Sequence, residues 1–521
     1  MKIGPMHVPM HDDDLTAAAL AAEHRRLGAA ATRLVADYAA ALDDLPVCSD
    51  ATPAALRERF AGPLPEQGTD PLELLGVLAR DVVADATQIS GPRYFGLFNP
   101  APLPVAVWTD ALCSALNQNA AAWRQSPTAT ALEERVLGWL CELLGYGDGA
   151  FGTLTSGGSE ANLIGLKCAR DAADASAATA GPGGARLRVY ASEQAHFSLV
   201  KAVDVLGVGR ANLRRIGTDA RFRVRVGELR AAVERDLAAG LRPACVVGVA
   251  GTTSTGAVDP LAELADVAAE YGLWFHVDAA YGGALAFSPA HRGLLGGVAR
   301  ADSATLDPHK WMFVPFSCGA LLTRGGARVL RDAFDTDPAY LDDRRGAERR
   351  AAEGAPDGAA GDGADGAPDD SPLDFFRLGQ LGTRRANALK LWAALAGLGR
   401  DGYRRIVERQ LDLTRYLAAE LAAADGFEAV GDVQTAVCCV RYLPEAVRGA
   451  PAGTRDAVQR ALQQRVERGG RAWVATTVLD GRRALRINVN GFLTRREHVD
   501  ELVALLRAEG PRAAADVSAG P

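Results

Sequence analysis

The feature that most constrains this chain is an alternation running from about residue 187 to 325. Short apolar runs at 187–191, 244–250, 274–277 and 320–323 are separated by stretches of helical spacing at 198–206, 227–238 and 260–271. Strand-length apolar runs with helices between them predict a mostly parallel sheet with helices on both faces. In such sheets ligands bind beyond the C-terminal strand ends. Polar residues fall there: His196 after the first run, Thr252-Thr253-Ser254-Thr255-Gly256 after the second, and Asp278 after the third. A further short strand at 303–306 leads into Asp307-Pro308-His309-Lys310-Trp311. Asp-Pro forces a turn and leaves His309 and Lys310 at the strand exit.

Three of these positions invite chemistry. Lys310 sits beside a histidine and before Trp311 and Met312. Burial and a cationic neighbour both lower an amine's pKa, which is what a lysine needs to form a Schiff base with an aldehyde. Asp278 lies between Trp274-Phe275-His276-Val277 and Ala279-Ala280-Tyr281-Gly282-Gly283. A carboxylate in that apolar setting either caps the next turn or faces a cation such as a protonated ring nitrogen. Upstream, Thr153-Leu154-Thr155-Ser156-Gly157-Gly158-Ser159-Glu160-Ala161-Asn162 runs into a helix expected over 163–171. Small residues before a helix start expose backbone N–H groups where the dipole is positive, so the segment reads as a phosphate cradle or as a plain N-cap. It has neither dinucleotide GxGxxG spacing nor a Walker pattern. A phosphate cradle, a histidine able to stack on a ring, a buried aspartate and a Schiff-base lysine together fit one cofactor, pyridoxal 5'-phosphate.

The flanking regions are read as follows. Residues 15–45 and 71–88 have helical spacing on either side of a Pro/Gly-rich break, too thin to form a core alone. A dense aromatic loop, Gly91-Pro92-Arg93-Tyr94-Phe95-Gly96-Leu97-Phe98-Asn99-Pro100, either packs or lines a pocket, and helices follow at 104–118 and 128–145. Between 335 and 372 the chain loosens, and its Gly/Ala/Asp/Pro stretch at 351–371 is expected to be disordered. A long helix at 401–424, strands at 435–442 and 484–489 and helices at 454–468 and 495–508 predict a small α+β domain. The expected division is therefore 1–88, an N-terminal helical segment; 89–400, a large domain; and 401–521, a small one. A net charge of −7 gives no reason to expect nucleic acid or an anionic membrane as partner. The eight cysteines contain no CxxC pair, which argues for reduced thiols in a cytoplasm and against a structural metal site. The N-terminus carries no signal-peptide pattern, and no apolar run reaches membrane-spanning length.

The motifs Thr155–Asn162, Ala195-His196, His276-Val277-Asp278-Ala279-Ala280-Tyr281-Gly282-Gly283 and Asp307-Pro308-His309-Lys310-Trp311 occur in order, and from about Arg93 to Arg486 the chain resembles the group II pyridoxal-phosphate-dependent amino acid decarboxylases. That resemblance implies the aspartate aminotransferase-like (type I) fold. It also implies a homodimer with active sites at the interface, embraced by the N-terminal helices. Position by position, it implies Lys310 as the Schiff-base lysine, Asp278 as the pyridine partner, His196 as the stacking residue and Ala280 on the opposite ring face. Gly158 and Ser159 match phosphate contacts, Thr253 lies near the 3-hydroxyl side, and His309 lies close to the phosphate and the lysine linkage. Arg486 resembles an arginine that meets the substrate carboxylate, with Phe98 and Asn119 as further substrate contacts. Tyr340, in Asp337-Pro338-Ala339-Tyr340-Leu341, matches a mobile-loop tyrosine that protonates the substrate carbon; the alternative is a tyrosine that only anchors the loop.

The chain also departs from the pattern. Asp307 stands where many relatives have asparagine, Pro100 replaces a hydroxyl residue, Leu97 replaces an aromatic, and small and polar residues fill Asn119-Ala120-Ala121-Ala122-Trp123. The expected reaction is decarboxylation of an L-amino acid to its amine and carbon dioxide, with an aromatic substrate favoured. An acidic, small or diamino acid substrate, or oxidative decarboxylation to an aldehyde, are the alternatives.

Overall fold

The computed structural model describes residues 16–181, 186–336 and 372–518. Tyr340 and most of the 335–372 loop lie outside the described residues. Among the described residues, twelve strands occur in chain order: β1 Tyr94–Phe95, β2 Phe151–Thr155, β3 Leu187–Ser192, β4 Leu213–Ile216, β5 Arg242–Val249, β6 Trp274–Asp278, β7 Ser303–Leu306, β8 Gly319–Thr323, β9 Phe427–Ala429, β10 Val437–Tyr442, β11 Trp473–Leu479 and β12 Arg482–Asn488.

The chain divides into two compact units, one from Pro102–Arg409 with Gly431–Thr435, the other from Met1–Ala101, Gln410–Val430 and Ala436–Pro521. The first holds a seven-stranded sheet in the order β2-β8-β7-β6-β5-β3-β4. All its pairings are parallel except those of β8, which runs antiparallel to both β2 and β7. The C-terminal ends of β2, β3, β5, β6 and β7 therefore open on one edge. Sheets covered on both faces read as continuous apolar runs, and Val246, Val247, Phe275, Val277, Ala304, Leu306, Leu321 and Leu322 are each at most 1% exposed. Helices Gly158–Ala173, Ser198–Val205, Val226–Ala238 and Leu261–Tyr271 connect the strands.

The expected strands and connecting helices of this sheet are present, with shifts of up to two residues at their ends. The cradle helix is longer than the 163–171 expected. It begins at Gly158, because the two glycines let the chain turn directly out of β2.

The second unit holds a five-stranded sheet ordered β1-β11-β12-β10-β9. The aromatic loop contributes β1, which pairs with β11 and stacks Tyr94 on Trp473 at 5.2 Å. Cys438 and Cys439 are buried in β10, in keeping with a core role, and all eight cysteines are unbonded. Helices Ala17–Ala41, Pro53–Arg59 and Pro71–Leu78 have no buried residue. Among the described residues no helix is long and apolar enough to cross a membrane.

Candidate active site

The glycine turn leaving β2 is shaped by close approach. A Cβ on Gly157 would lie 3.0 Å from the His309 ring. One on Gly158 would lie 2.8 Å from Asp307 Oδ2 and 3.2 Å from the Ala280 methyl. Larger residues would therefore push apart the three strand ends that meet here. Gly157 supplies no side-chain cap to helix Gly158–Ala173, and its carbonyl takes the Glu160 and Ala161 N–H groups, so the N–H groups of Gly158 and Ser159 stay open to an anion. Ser159 is exposed on that turn. Ser156 instead gives its N–H and hydroxyl to Glu160, each at 2.7 Å.

Lys310 follows β7. Its Nζ lies 2.8 Å from Asp307 Oδ2, so the amine meets a carboxylate as well as the apolar surroundings expected. The expected cationic neighbour is corrected: His309 is buried, and burial lowers its pKa below the ordinary imidazole range. Its Nδ1 accepts from the Cys318 N–H at 3.2 Å, which leaves the ring's proton on Nε2. Asp307 is 2% exposed, and its Oδ1 has no hydrogen-bond partner among the described residues.

Asp278 ends β6 and is 6% exposed. Its Oδ2 accepts from Asn162 Nδ2 at 2.9 Å and its Oδ1 from the Ala280 N–H at 3.2 Å. His196 follows β3, half-buried, with its Nδ1 2.9 Å from Ser198 Oγ. Burial lowers its pKa, while Asp278 acts in the opposite sense and Lys310 in the same sense. Asp307 acts in the same sense as Asp278. Among the described lysines, Lys167 pairs with Asp171, Lys201 lies over Phe197 and Lys390 is fully buried beside Asp110; Lys310 stands at this edge.

The other anticipated residues are placed as follows. Thr253 is exposed on the turn after β5. Asn119 is occupied with backbone, accepting from the Ala121 and Arg384 N–H groups and donating to Gly382 O. Arg486 and Phe98 belong to the second unit and meet there, the guanidinium 4.6 Å from the ring centroid, with Arg486 also donating to Gly96 O at 2.6 Å. Sequence reasoning missed Asn162 and Ser198, which hold Asp278 and His196. A faint signal existed: asparagine is a poor helix former and sits inside the cradle helix.

The residues present suit pyridoxal phosphate. The glycine turn is a cradle that a Cβ would fill, and a buried carboxylate, Asp278, and a lysine, Lys310, end or follow strands that open on the same sheet edge. The conserved domain of pyridoxal-dependent decarboxylases matches residues 53–351. An aromatic-L-amino-acid decarboxylase of Bacillus atrophaeus is 33% identical over 482 residues, 92% of this chain and 93% of that protein. An L-2,4-diaminobutyrate decarboxylase of Rhizobium meliloti is 36% identical over 421 residues, 81% of this chain and 78% of that protein. The crystal structure of Oryza sativa TDC with PLP and tryptamine superimposes with a TM-score of 0.85 at 29% identity, covering 97% of this chain and 99% of that one. The chain thus belongs to the pyridoxal-dependent decarboxylase family and is a pyridoxal phosphate-dependent amino acid decarboxylase with the type I fold.

Proposed function

We propose that the chain decarboxylates an aromatic L-amino acid to its amine, with Lys310, Asp278, His196, Ala280, His309, Thr253 and the Gly158–Ser159 turn as the cofactor's seat. The observation that carries this reading is the meeting of a lysine, a buried carboxylate and an open helix start at one sheet edge. Bound there, pyridoxal phosphate supplies an aldehyde for amine capture and a ring that takes up the electrons left by departing carbon dioxide.

The chain's own groups do the rest. The first-turn N–H groups of helix Gly158–Ala173 hold the phosphate. Asp278, fixed through both oxygens, keeps a ring nitrogen protonated. Lys310 Nζ would be the amine that captures the cofactor's aldehyde, and Asp307, 2.8 Å away, would orient it. His309 offers its Nε2–H toward the cradle. Tyr340 is assigned the delivery of a proton to the substrate carbon, and Arg486 the substrate carboxylate, with Phe98 and Asn119 as substrate contacts.

The aromatic substrate rests on the Bacillus relative, whose match spans nearly the whole of both chains. The Rhizobium relative favours a second reading, a diamino acid substrate. A homodimer is supported by Val105, Trp108, Leu112 and Leu116, exposed by 45–53% along one face of helix Pro104–Leu116, and by the unburied N-terminal helices. The unbonded cysteines support a cytoplasmic setting, which fractionation of the native host would check.

The chain has only five lysines, Lys2, Lys167, Lys201, Lys310 and Lys390, so the attachment point is directly testable. The holoenzyme is reduced with borohydride and its peptides are mapped. Modification of Lys310 is expected, and modification of another lysine in its place overturns the assignment.

A further inference from the structure

A directed chain of hydrogen bonds runs beneath the site. Trp274 Nε1 lies 2.9 Å from Ser303 Oγ, which lies 2.8 Å from His276 Nδ1. His276 Nε2 lies 3.0 Å from Asn162 Oδ1, to which Thr305 also donates at 2.7 Å. Asn162 Nδ2 lies 2.9 Å from Asp278 Oδ2 and 3.0 Å from Ser198 Oγ. Ser198 Oγ lies 2.9 Å from His196 Nδ1.

The ends of this chain fix every proton in it. Indole N–H only donates, so Ser303 accepts from Trp274 and keeps its own proton, for which His276 Nδ1 is the acceptor in reach. His276 then carries its proton on Nε2 and donates it to Asn162 Oδ1. From the other side, the Asp278 carboxylate only accepts, so Asn162 must turn its amide nitrogen toward it, which agrees with the first assignment. The second amide hydrogen goes to Ser198 Oγ. The Ser198 hydroxyl is left with its own proton to give, and the acceptor in reach is His196 Nδ1. The Ser198 backbone N–H, at 3.3 Å, points at the same lone pair.

Resting on the cofactor seat proposed above, we infer that Asn162 and Ser198 are positioning residues that lock His196 as the neutral tautomer protonated on Nε2. His196 then faces the site as a fixed donor, because its Nδ1 lone pair is taken and its one proton is already placed. The same amide steers both groups: one Asn162 hydrogen holds Asp278 and the other orients the Ser198 hydroxyl that sets His196. The charged groups facing this imidazole are Asp278 from β6, Asp307 and Lys310 after β7, and Lys201 on its own helix. The carboxylates favour a second proton and the lysines oppose it, so the lock is what removes the site for that proton.

The test uses holoenzyme labelled with 15N-histidine. His196 is assigned among the eight histidines with a His196→Gln variant. In the wild type, His196 is expected to show the Nε2–H pattern, unchanged between about pH 5.5 and 8. In Ser198→Ala the ring should titrate, its midpoint moving up toward the ordinary imidazole value. Ser198→Thr, which keeps the hydroxyl, should restore the wild-type pattern. A wild-type His196 that is protonated on Nδ1 or doubly protonated at neutral pH overturns the inference, and so does a Ser198→Ala spectrum identical to wild type. Wild-type spectra decide the point even where Ser198→Ala fails to fold. Carbon dioxide release with a normal cofactor band in the same samples would confine such a failure to the tautomer lock. Loss of the band from the wild type would instead count against the cofactor seat.

Discussion

Replacing Asp278 with asparagine probes the centre of the account at nearly constant shape. The carboxylate is almost fully buried and takes one N–H on each oxygen, from Asn162 at 2.9 Å and Ala280 at 3.2 Å. An asparagine must turn its NH2 toward one of these donors. Either way, one hydrogen bond to a charged acceptor is lost and two donors face each other, a cost of about 1.5–3 kcal/mol. The larger loss is the charge. A carboxylate at hydrogen-bond distance from a ring cation contributes about 5 kcal/mol at an effective dielectric constant of about 20. Part of this is made up by the polar amide. A rise of at least about 3 kcal/mol in the barrier remains, or a loss of about 10²-fold in kcat. The assay is carbon dioxide release at saturating amino acid and saturating pyridoxal phosphate, with cofactor affinity measured alongside. Asp278→Asn enzyme that binds the cofactor and turns over within about tenfold of wild type would refute the assigned role.

Asp307→Asn should tighten cofactor binding about fivefold, since Asp307 lies beside the Gly158 turn and like charges about 4 Å apart repel by about 1 kcal/mol even in water; unchanged or weaker binding in a fluorescence titration would contradict this. Trp108→Glu, on the exposed apolar face of helix Pro104–Leu116, should shift the sedimentation profile from dimer to monomer, and an unchanged profile would count against that face as the interface. Stability should fall on acidification below about pH 6.5. His276, pushed down to about 4 by burial, is joined by His196, His309 and His498, also lowered by burial. The unfolded chain binds more protons at these sites between about pH 6.5 and 4, so stability is lost over that window. Asp259, pushed up to about 6 by burial, acts in the opposite sense and offsets part of the loss. Urea midpoints at several pH values that are flat or rise toward acid would contradict the balance.

The large sheet was legible because buried parallel strands read as apolar runs, such as Ala244-Cys245-Val246-Val247-Gly248-Val249 in β5 and Trp274-Phe275 in β6. β4, with two arginines in Leu213–Ile216, carried no such run. β2 was hidden by the cradle motif it leads into, and β11 passed unnoticed although its Trp-Val-Ala-Thr-Thr-Val sequence is rich in strand formers. At the site, Lys310, Asp278 and His196 could be named because each lies at or just after the end of a strand. Their supports could not. Asn162 lies inside a helix, 116 residues before its carboxylate partner, and only the folded sheet brings the two together. The carboxylate beside Lys310 was visible in sequence as Asp307, but that the two would form an ion pair depended on the turn's geometry.

The most direct measurement is the absorbance spectrum of the protein purified with pyridoxal phosphate, followed by assay of each L-amino acid for carbon dioxide, amine, ammonia and peroxide. The account predicts a yellow cofactor band, and from one aromatic amino acid equal amounts of carbon dioxide and amine. Ammonia and peroxide in place of amine would contradict simple decarboxylation, and the absence of any band after added cofactor would contradict the seat built on Lys310 and Asp278.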